Sequence, residues 1–297
     1  MELEAIDWPL RQRVEELRRA CGNETSAHAF QSLYIWKKEM ELQLLCGERF
    51  YAVRFGLRGE NSWFFPCGEA EAVRAFVEER LAGAAPCRLY YAGAQEAARL
   101  EEWFPGRFEI RRAPEDDEYI YNRQEQLALR GRSFRHQRND LHRARERHDL
   151  RVSPIGPENL EQTLRVLSGW KEHKHRSSQG GLLDVAAGET LIRHIGELGV
   201  SGVLVSEGDS PVAVAAGYPL TDSVFDLCVC QNTALFPEVS TFARHALLER
   251  LGDGVLEINA EEDLGIEGLR SLKEGMRPAR KLEMYACIQK TMPREGE

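Results

Sequence analysis

Acidic side chains that could act as a base or hold a cation are concentrated in one stretch, EINAEED, which begins at Glu257. Glu257 and Asn259 alternate with apolar neighbours, so on a strand their side chains share one face. A carboxylate at such a strand end could remove a proton from an attacking amine or hydroxyl, or hold an ammonium group. We therefore take Glu257, Asn259 and Asp263 as candidate catalytic residues, and Glu262 as a candidate substrate-binding residue.

The same acids also fit the start of a helix. A strand predicted over residues 254–259 leads into a helix predicted over residues 264–276, and acids at a helix N-terminus interact favourably with its dipole. Asn259 and Glu262 have the N-x-x-E spacing of a helix cap. Lys273, on the predicted helix, could neutralise a phosphate or the acid cluster, so it is a further candidate substrate-binding residue. The sequence alone leaves the catalytic and the capping interpretations open.

A strongly basic segment lies in the middle of the chain. The stretch RGRSFRHQRNDLHRARERH, residues 130–148, holds seven arginines and three histidines against two acids, although the whole chain has a net charge of −9. Phe134 and Leu141 could anchor this segment as a helix, with a basic stripe beside them. Such a stripe suits the phosphates of tRNA or of an anionic phospholipid head group; the alternative is a solvated helix whose arginines pair with surplus acids. The candidate substrate-binding residues here are Arg135, Arg138, Asn139, His142 and Arg145.

Composition places the chain among folded proteins without a membrane span. With 297 residues, 42% of them hydrophobic, it is long enough for two domains. No apolar run reaches the ~18 residues that a span needs, and the start MELEAIDWPL has no signal-peptide pattern. Seven cysteines without a CxxC pair predict reduced thiols and no metal site, hence a cytoplasmic protein that at most associates peripherally with a membrane. Cys228 and Cys230 alternate in VFDLCVCQ, so they are predicted to share one strand face.

The predicted elements fall into two similar halves. Each half has the order ααβββαβαβ, which indicates an α/β fold (an α+β arrangement with mixed sheets) produced by internal duplication. We assign residues 1–115 to a first unit, residues 116–149 to connecting basic helices, and residues 150–297 to a second unit. Helices are predicted over residues 119–130 and 133–148, and the second unit is predicted to end in a strand over residues 281–289.

Three blocks of the sequence resemble one bacterial family. INAEEDLGIEGLRSLKEGMRPARKLEMY is similar to the C-terminal signature of the phosphatidylglycerol lysyltransferase C-terminal domain-like family. HAFQSLYIWKKEMELQL and FFPCG resemble its N-terminal pattern, and EYIYNRQEQLALRGRSFRHQRNDLHRARERH resembles its connecting helices. The resemblance implies two tandem GNAT-like acyltransferase units, a fold shared with lysyl-phosphatidylglycerol synthases and Fem-type enzymes, which move an aminoacyl group from aminoacyl-tRNA to an acceptor. The synthases also carry a transmembrane half, which this sequence does not contain.

Neither half has the glycines typical of acyl-CoA binding. An acetyl-CoA-dependent GNAT unit holds the pyrophosphate on backbone N–H groups at a helix start, where glycines allow close approach. In the second half no glycine follows Gln231 before the helix, and Pro237 and Glu238 stand there instead. Proline lacks the N–H donor, and a carboxylate repels phosphate. In the first half Gly68 is followed by Glu69. We therefore expect no CoA cofactor, and either a tRNA-linked donor or a lost donor site.

Three functions remain open on the sequence. The first is an aminoacyltransferase that uses aminoacyl-tRNA and an unknown acceptor. The second is an acyl-CoA-dependent N-acyltransferase, which the missing glycines disfavour. The third is a non-catalytic module that binds a polyanion through its basic helix. The shared fold does not separate the first from the third, because function depends on the site.

Overall fold

The computed structural model describes residues 2–174, 181–233 and 237–290. These residues form two compact units, each built around a mixed sheet. The first unit is assembled from three segments, residues 2–118, 262–266 and 281–290. The second unit comprises the described residues of 119–261 and 267–280.

The first part of the chain alternates helices with short strands. In its longest helix, buried Val73, Phe76 and Val77 recur at helical spacing, so one face packs into the core. The helices are α1 (Arg11–Ala20), α2 (Phe30–Trp36), α3 (Ala70–Leu81) and α4 (Ala94–Trp103). The strands are β1 (Leu42–Cys46), β2 (Phe50–Phe55), β3 (Ser62–Phe64), β4 (Cys67–Gly68), β5 (Arg88–Gly93) and β6 (Phe108–Arg112).

The rest of the chain contains longer strands. The strands are β7 (Glu118–Asn122), β8 (Leu150–Pro154), β9 (Ser201–Glu207), β10 (Ser210–Pro219), β11 (Val224–Asn232), β12 (Glu257–Asn259), β13 (Arg280–Leu282) and β14 (Met284–Gln289). The helices are α5 (Arg123–Ala128), α6 (Arg135–Arg147), α7 (Leu160–Lys174), α8 (Gly181–Arg193), α9 (Ile195–Leu198), α10 (Pro237–Leu248) and α11 (Glu267–Gly275).

The two sheets have the same strand order. The first runs β1-β2-β3-β5-β14-β6, with β4 paired to β2, and the second runs β8-β9-β10-β11-β12-β7-β13. From β9 onward the second sheet matches the first strand by strand. In both sheets the third and fourth of these matched strands form a parallel pair, β3 with β5 and β11 with β12. This agreement supports the predicted duplication, and the mixed sheets confirm the predicted α/β class.

Two strands lie outside the units to which the sequence assigned them. Residues 119–130 are predicted as one helix, but residues 118–122 form β7 in the second sheet. Tyr119, Ile120 and Tyr121 are all buried, so both faces of this aromatic and β-branched segment are covered, which favours a strand. The final strand, β14, lies between β5 and β6 of the first sheet. The unit boundaries therefore differ from 1–115, 116–149 and 150–297.

The helix after the acid cluster begins later than predicted. It starts at Glu267, although the pattern predicted a helix from residue 264. Leu264 and Gly265 have φ values of +55° and +70°, which a right-handed helix does not contain. Among the residues that the structure describes, no helix combines the length and the apolar character needed to cross a membrane.

Candidate active site

The candidate site lies where the pairing of the parallel strands of the second sheet ends. Strands β11 and β12 pair over three positions and end with Asp226 opposite Asn259. Strand β12 stops there, whereas β11 continues to Asn232. Among the described residues, the edge of β11 beyond Asp226 therefore has no partner strand on this side.

A tight turn at Asn259 produces this separation. The Asn259 Oδ1 atom accepts a hydrogen bond of 2.8 Å from the backbone N–H of Glu261. Glu261 has a φ of +58°, which turns the chain away from the strand direction. The Lys273 ammonium group donates to the Ala260 carbonyl and so fixes the same turn from α11. Asn259 and Lys273 thus position the turn that carries Glu261.

A β-bulge in β11 lies directly after Asp226. Asp226 pairs with Tyr218 and Val229 pairs with Ala216. Between these two pairs β11 advances by three residues, whereas β10 advances by only two. The extra residue reverses the alternation of faces. The Sγ atom of Cys230 therefore lies 3.7 Å from a carbonyl of α10, whereas that of Cys228 lies beside the carbonyl of Ala216. The prediction that the two cysteines share a face is wrong because strict alternation ends at the bulge.

Three polar side chains lie in register across this part of the sheet. Tyr218, Asp226 and Asn259 occupy paired positions on β10, β11 and β12, so they share one face. Each is 0% exposed. Buried polar groups are costly unless they are paired or serve a function, so a row of three on neighbouring strands marks a candidate site.

Two carboxylates raise the pKa of the same two side chains at this site, Tyr218 and Cys228. Burial raises the pKa of Tyr218 well above its usual value, and the charges of Asp226 and Glu261 raise it further. Burial likewise raises the pKa of the Cys228 thiol well above its usual value, again with contributions from Asp226 and Glu261. Asp226 and Glu261 therefore converge on one region of negative potential, which suits a cationic group of a ligand.

The matching position of the first sheet is aromatic instead. There the parallel strands β3 and β5 end their pairing with Phe64 opposite Tyr90. Phe64 packs edge-on against Tyr91, with ring centroids 4.7 Å apart, and against Phe55 at 5.2 Å. The carboxylate and amide of the second sheet thus have aromatic counterparts in the first, so we place the candidate chemistry in the second unit.

The sequence analysis missed Asp226, Tyr218 and Glu261 as site residues. A signal for the first was present, because Asp226 is a lone carboxylate within the otherwise apolar strand VFDLCVC. A charged residue in a buried strand is rare unless it is paired or functional. Tyr218 gave no comparable signal, because tyrosine is common in strands.

The predicted catalytic residues fall into different surroundings. Glu257 forms a bidentate ion pair with Arg280, with contacts of 2.7 and 3.2 Å. Asn259 lies in the buried row and forms the turn described above. Asp263 belongs to the first unit, where it is fully buried and its Oδ1 accepts a 2.9 Å hydrogen bond from the Gly265 N–H. The structure thus includes Asn259 in the candidate site, and shows an ion pair for Glu257 and a local hydrogen bond for Asp263.

Glu262 raises the pKa of another carboxyl group, that of Asp116, in the first unit. Burial raises the pKa of Asp116 to about 7, and the charges of Glu262 and Glu115 raise it further while Arg58 lowers it. The pKa of Tyr91 is raised well above its usual value, first by burial and then by Glu262 and Asp116. Glu262 therefore belongs to a cluster of acidic residues in the first unit, together with Asp116 and Glu115.

The predicted basic helix is present as α6, and its stripe is exposed. Its inner face consists of buried Phe134, Gln137, Leu141 and Ala144, and it packs against α10. The two apolar anchors were thus correctly placed. The stripe residues Arg135, Arg138, Asn139, His142 and Arg145 are all exposed.

The members of this stripe differ in their partners. Arg138 donates to the carbonyls of Leu129 and Gly131, so it closes the turn between α5 and α6. His142 contacts Glu146, with 3.2 Å between Nε2 and a carboxylate oxygen. Arg135 and Arg145 form no ion pair with any residue in the described part of the chain. These two arginines are thus the best placed for an external phosphate.

Lys273 is not available as a phosphate ligand. It is buried, donates to Ala260, and lies 5.7 Å from the Tyr119 ring centroid. Within residues 2–174, 181–233 and 237–290 no three metal-binding side chains cluster. The stretch where a CoA pyrophosphate would rest, after Gln231, includes residues 234–236, which lie outside the described residues.

Comparison with known sequences identifies the family. Residues 18–288 match the family described as phosphatidylglycerol lysyltransferase, C-terminal. The match covers most of the chain, and the chain therefore belongs to this family, which confirms the predicted resemblance. A search of curated protein sequences gave no significant match.

Solved structures show the same fold. A conserved protein of unknown function from Bacteroides thetaiotaomicron superposes with a TM-score of 0.89 at 23% identity, over 98% of this chain and 100% of that one. L-PGS from Bacillus licheniformis gives 0.67 at 12% identity, over 98% and 94% of the two chains. FemX gives 0.62 at 9% identity, over 96% and 97%. The chain thus has an acyltransferase-type fold.

Proposed function

We propose that this protein transfers an aminoacyl group from aminoacyl-tRNA to an acceptor, at the site marked by Asp226, Asn259 and Glu261. The family supports this proposal, as does the fold shared with L-PGS and FemX. The observation that carries it is that Asp226 is paired with Asn259 across the strands, while Asn259 holds the backbone of Glu261 by a 2.8 Å hydrogen bond.

The charge of the site favours this donor over acyl-CoA. An aminoacyl ester carries a positively charged α-ammonium group next to its reacting carbonyl, whereas CoA carries several negative phosphates. Two carboxylates attract the first and repel the second. A CoA-dependent reaction is therefore the weaker candidate, and no cofactor is part of the proposal.

In this proposal each residue has a separate role. The Asp226 carboxylate supplies negative charge that attracts the α-ammonium group, next to the turn that carries Glu261. Glu261, half-buried on the turn, takes the proton of the acceptor amine or hydroxyl as it attacks the ester carbonyl. The bond from the carbonyl carbon to the ribose oxygen breaks, and Glu261 returns the proton to that oxygen, which leaves as a hydroxyl group. Arg135 and Arg145 bind tRNA phosphates.

The test uses a mixture of labelled aminoacyl-tRNAs with hydroxylamine as a small nucleophile. The protein should form an aminoacyl hydroxamate faster than the uncatalysed background. Asp226→Asn should lower that rate about 100-fold, because it removes the charge that orients the donor. Asp209→Asn, at the exposed turn between β9 and β10, is the matched control and should leave the rate unchanged.

Two results would reject parts of the proposal. Full activity in Asp226→Asn would place the chemistry elsewhere in the protein. Tight tRNA binding without hydroxamate formation from any aminoacyl-tRNA would favour the non-catalytic binding module, which the exposed arginines of α6 also fit.

A further inference from the structure

Among the described residues of the second unit, Arg244 is a cation that lies against the core and forms no ion pair. It is half-buried on α10, and its Nη1 donates to the sulfur of Met276, a member of that core. A thioether sulfur is a weak and neutral acceptor, so this contact does not balance the positive charge. Charged side chains are seldom taken out of water without a partner, so we expect an anionic partner for Arg244.

A small cavity lies beside this guanidinium group. Its volume is about 20 Å³. Arg244 and Met276 both line it, so the contact between them places the guanidinium group at the cavity wall. The rest of the wall is mostly apolar and buried, with Leu227, Leu248 and Ile258 at most 7% exposed. A cavity of this size holds one particle of the size of a water molecule.

Two polar side chains of the wall already have partners within the second unit. The Tyr121 hydroxyl donates to the Lys273 carbonyl at 2.9 Å. The Gln126 Nε2 donates to the Met276 carbonyl at 2.8 Å, which uses one of the two N–H groups of this amide. The guanidinium group and the second amide N–H remain as donors, and no described carboxylate lines the cavity. The wall therefore favours a negatively charged occupant.

The size of the cavity and its donors favour a monatomic anion. A water molecule would fit, but it would leave the charge of Arg244 unbalanced. Phosphate, sulfate and carboxylate ions are larger than one water molecule, and each accepts several hydrogen bonds that a mostly apolar wall does not supply. Chloride is only slightly larger than water, carries one negative charge and tolerates apolar neighbours.

We propose that this cavity binds one chloride ion, held by the Arg244 guanidinium group and the second N–H of Gln126. The ion lies between α10, α5 and the sheet, so it ties α10 to the core of the second unit. Because chloride binds the folded state only, it stabilises this unit by mass action. This role is independent of the proposed transferase reaction.

Hydrogen exchange at two chloride concentrations tests the site. Sodium gluconate, whose anion is too large for the cavity, keeps the ionic strength constant. For a dissociation constant of ~50 mM, the amides of α10 should exchange about nine-fold more slowly in ~500 mM than in ~10 mM chloride. The amides of α3, in the first unit, should exchange at the same rate in both solutions.

Three variants assign the effect to the cavity. Arg244→Gln should abolish the difference, because it removes the charge that holds the ion. Arg165→Gln, at an exposed position of α7, is the matched control and should keep the difference. Arg135→Ala/Arg145→Ala should also keep it, since neither residue lines the cavity. Slowing that is equal in Arg244→Gln, equal in α3, or absent from the wild type would overturn the proposal.

A second experiment does not depend on the folding of Arg244→Gln. Crystals of the wild-type protein grown without chloride are soaked in sodium bromide, because bromide is only slightly larger than chloride and scatters anomalously. The expected result is an anomalous peak in contact with the Arg244 guanidinium group. Peaks at other positions only, or no peak at all, would show that the cavity does not hold a halide.

Discussion

The charged residues buried in this protein are stabilised in different ways. Arg123 donates hydrogen bonds to the carbonyls of Leu248, Leu251, Gly252 and Val255, so its charge is fully solvated by backbone groups. The first unit partly buries Asp116 beside other carboxylates, which makes ionisation costly. The first arrangement stabilises the fold, whereas the second destabilises it when the pH is high.

Replacing Asp116 should reveal that cost. Its folded pKa, about 7, lies above the unfolded value of 3.8, so its favourable contribution is complete below pH 3.8 and is lost as the pH rises through 7. At pH 8 Asp116→Asn should therefore exceed the wild type in free energy of unfolding by roughly 2–4 kcal/mol. The excess should shrink as the pH falls and disappear near pH 4.

Urea unfolding at a series of pH values measures this difference. Tryptophan fluorescence reports the first unit, which contains four tryptophans: Trp8, Trp36, Trp63 and Trp103. Glu60→Gln, at an exposed position of the same unit, should change the free energy by less than about 0.5 kcal/mol at every pH. An excess that does not depend on pH would show that Asp116 is not the titrating group.

At the scale of single residues, the sequence indicates which side chains could do chemistry but not which groups surround them. It identified Asn259, whose role as the hinge of a turn depends on a backbone N–H two residues away. It favoured Glu257, whose partner Arg280 lies far along the chain. It missed Asp226, because burial on a strand is decided by the neighbouring strands. For Glu257 and Asp226 the partner that determines the role lies far along the chain.

Among the secondary-structure elements, helix α6 packs one face against α10, and another face carries exposed charged residues. Buried Phe134 and Leu141 hold it against Phe242 of α10, and this spacing was readable from the sequence. The structure adds that Arg138 closes a turn, so its removal would change stability as well as charge. Arg135 and Arg145 are therefore the better pair for testing phosphate binding.

The double variant Arg135→Ala/Arg145→Ala should weaken tRNA binding and reduce its salt dependence. Each lost phosphate contact should lower the logarithmic salt slope by about 0.7–0.9, because fewer counterions are released on binding. Fluorescence anisotropy with labelled tRNA over a range of salt concentrations measures both effects. Arg151→Ala, an exposed arginine of β8, should leave the slope unchanged. An unchanged slope in the double variant would exclude α6 as the binding surface.

The end of α10 depends on α5. Arg123, the first residue of α5, donates to the carbonyl of Leu248 and to three carbonyls after it. Arg123→Met keeps most of the volume but leaves these carbonyls without their donor, so it should destabilise α10 by about 3 kcal/mol or more. Hydrogen exchange of the α10 amides measures the loss. Arg130→Met, at an exposed position, should have no such effect.

For the molecule as a whole, each sheet takes a strand that sequence order would assign to the other half. Strand β7 follows the first half but completes the second sheet, and β14 follows the second half but completes the first. Periodicity predicted one strand over residues 281–289, but the structure divides it at Glu283, with β13 in the second sheet and β14 in the first. Strand partners are chosen by packing, which a linear pattern does not record.

A destabilising substitution in β14 should therefore also destabilise strands that lie early in the chain. Cys287 is fully buried in the core of the first unit, so Cys287→Asp places an unpaired charge there. Hydrogen exchange should show lost protection in β5 and β6, the neighbours of β14. Lys290→Asp, at an exposed site just after β14, should leave β5 and β6 protected. Unaffected exchange in both variants would contradict the sheet order.

The position of β14 also has a consequence for synthesis on the ribosome. Residues 88–93 and 108–112 emerge early, yet the strand that lies between them comes from residues 284–289. Until those residues leave the exit tunnel, a nascent chain holds two strand edges that cannot pair as they do in the finished protein. Such edges bind chaperones or aggregate, so the yield of folded protein should depend on translation rate and on chaperone supply.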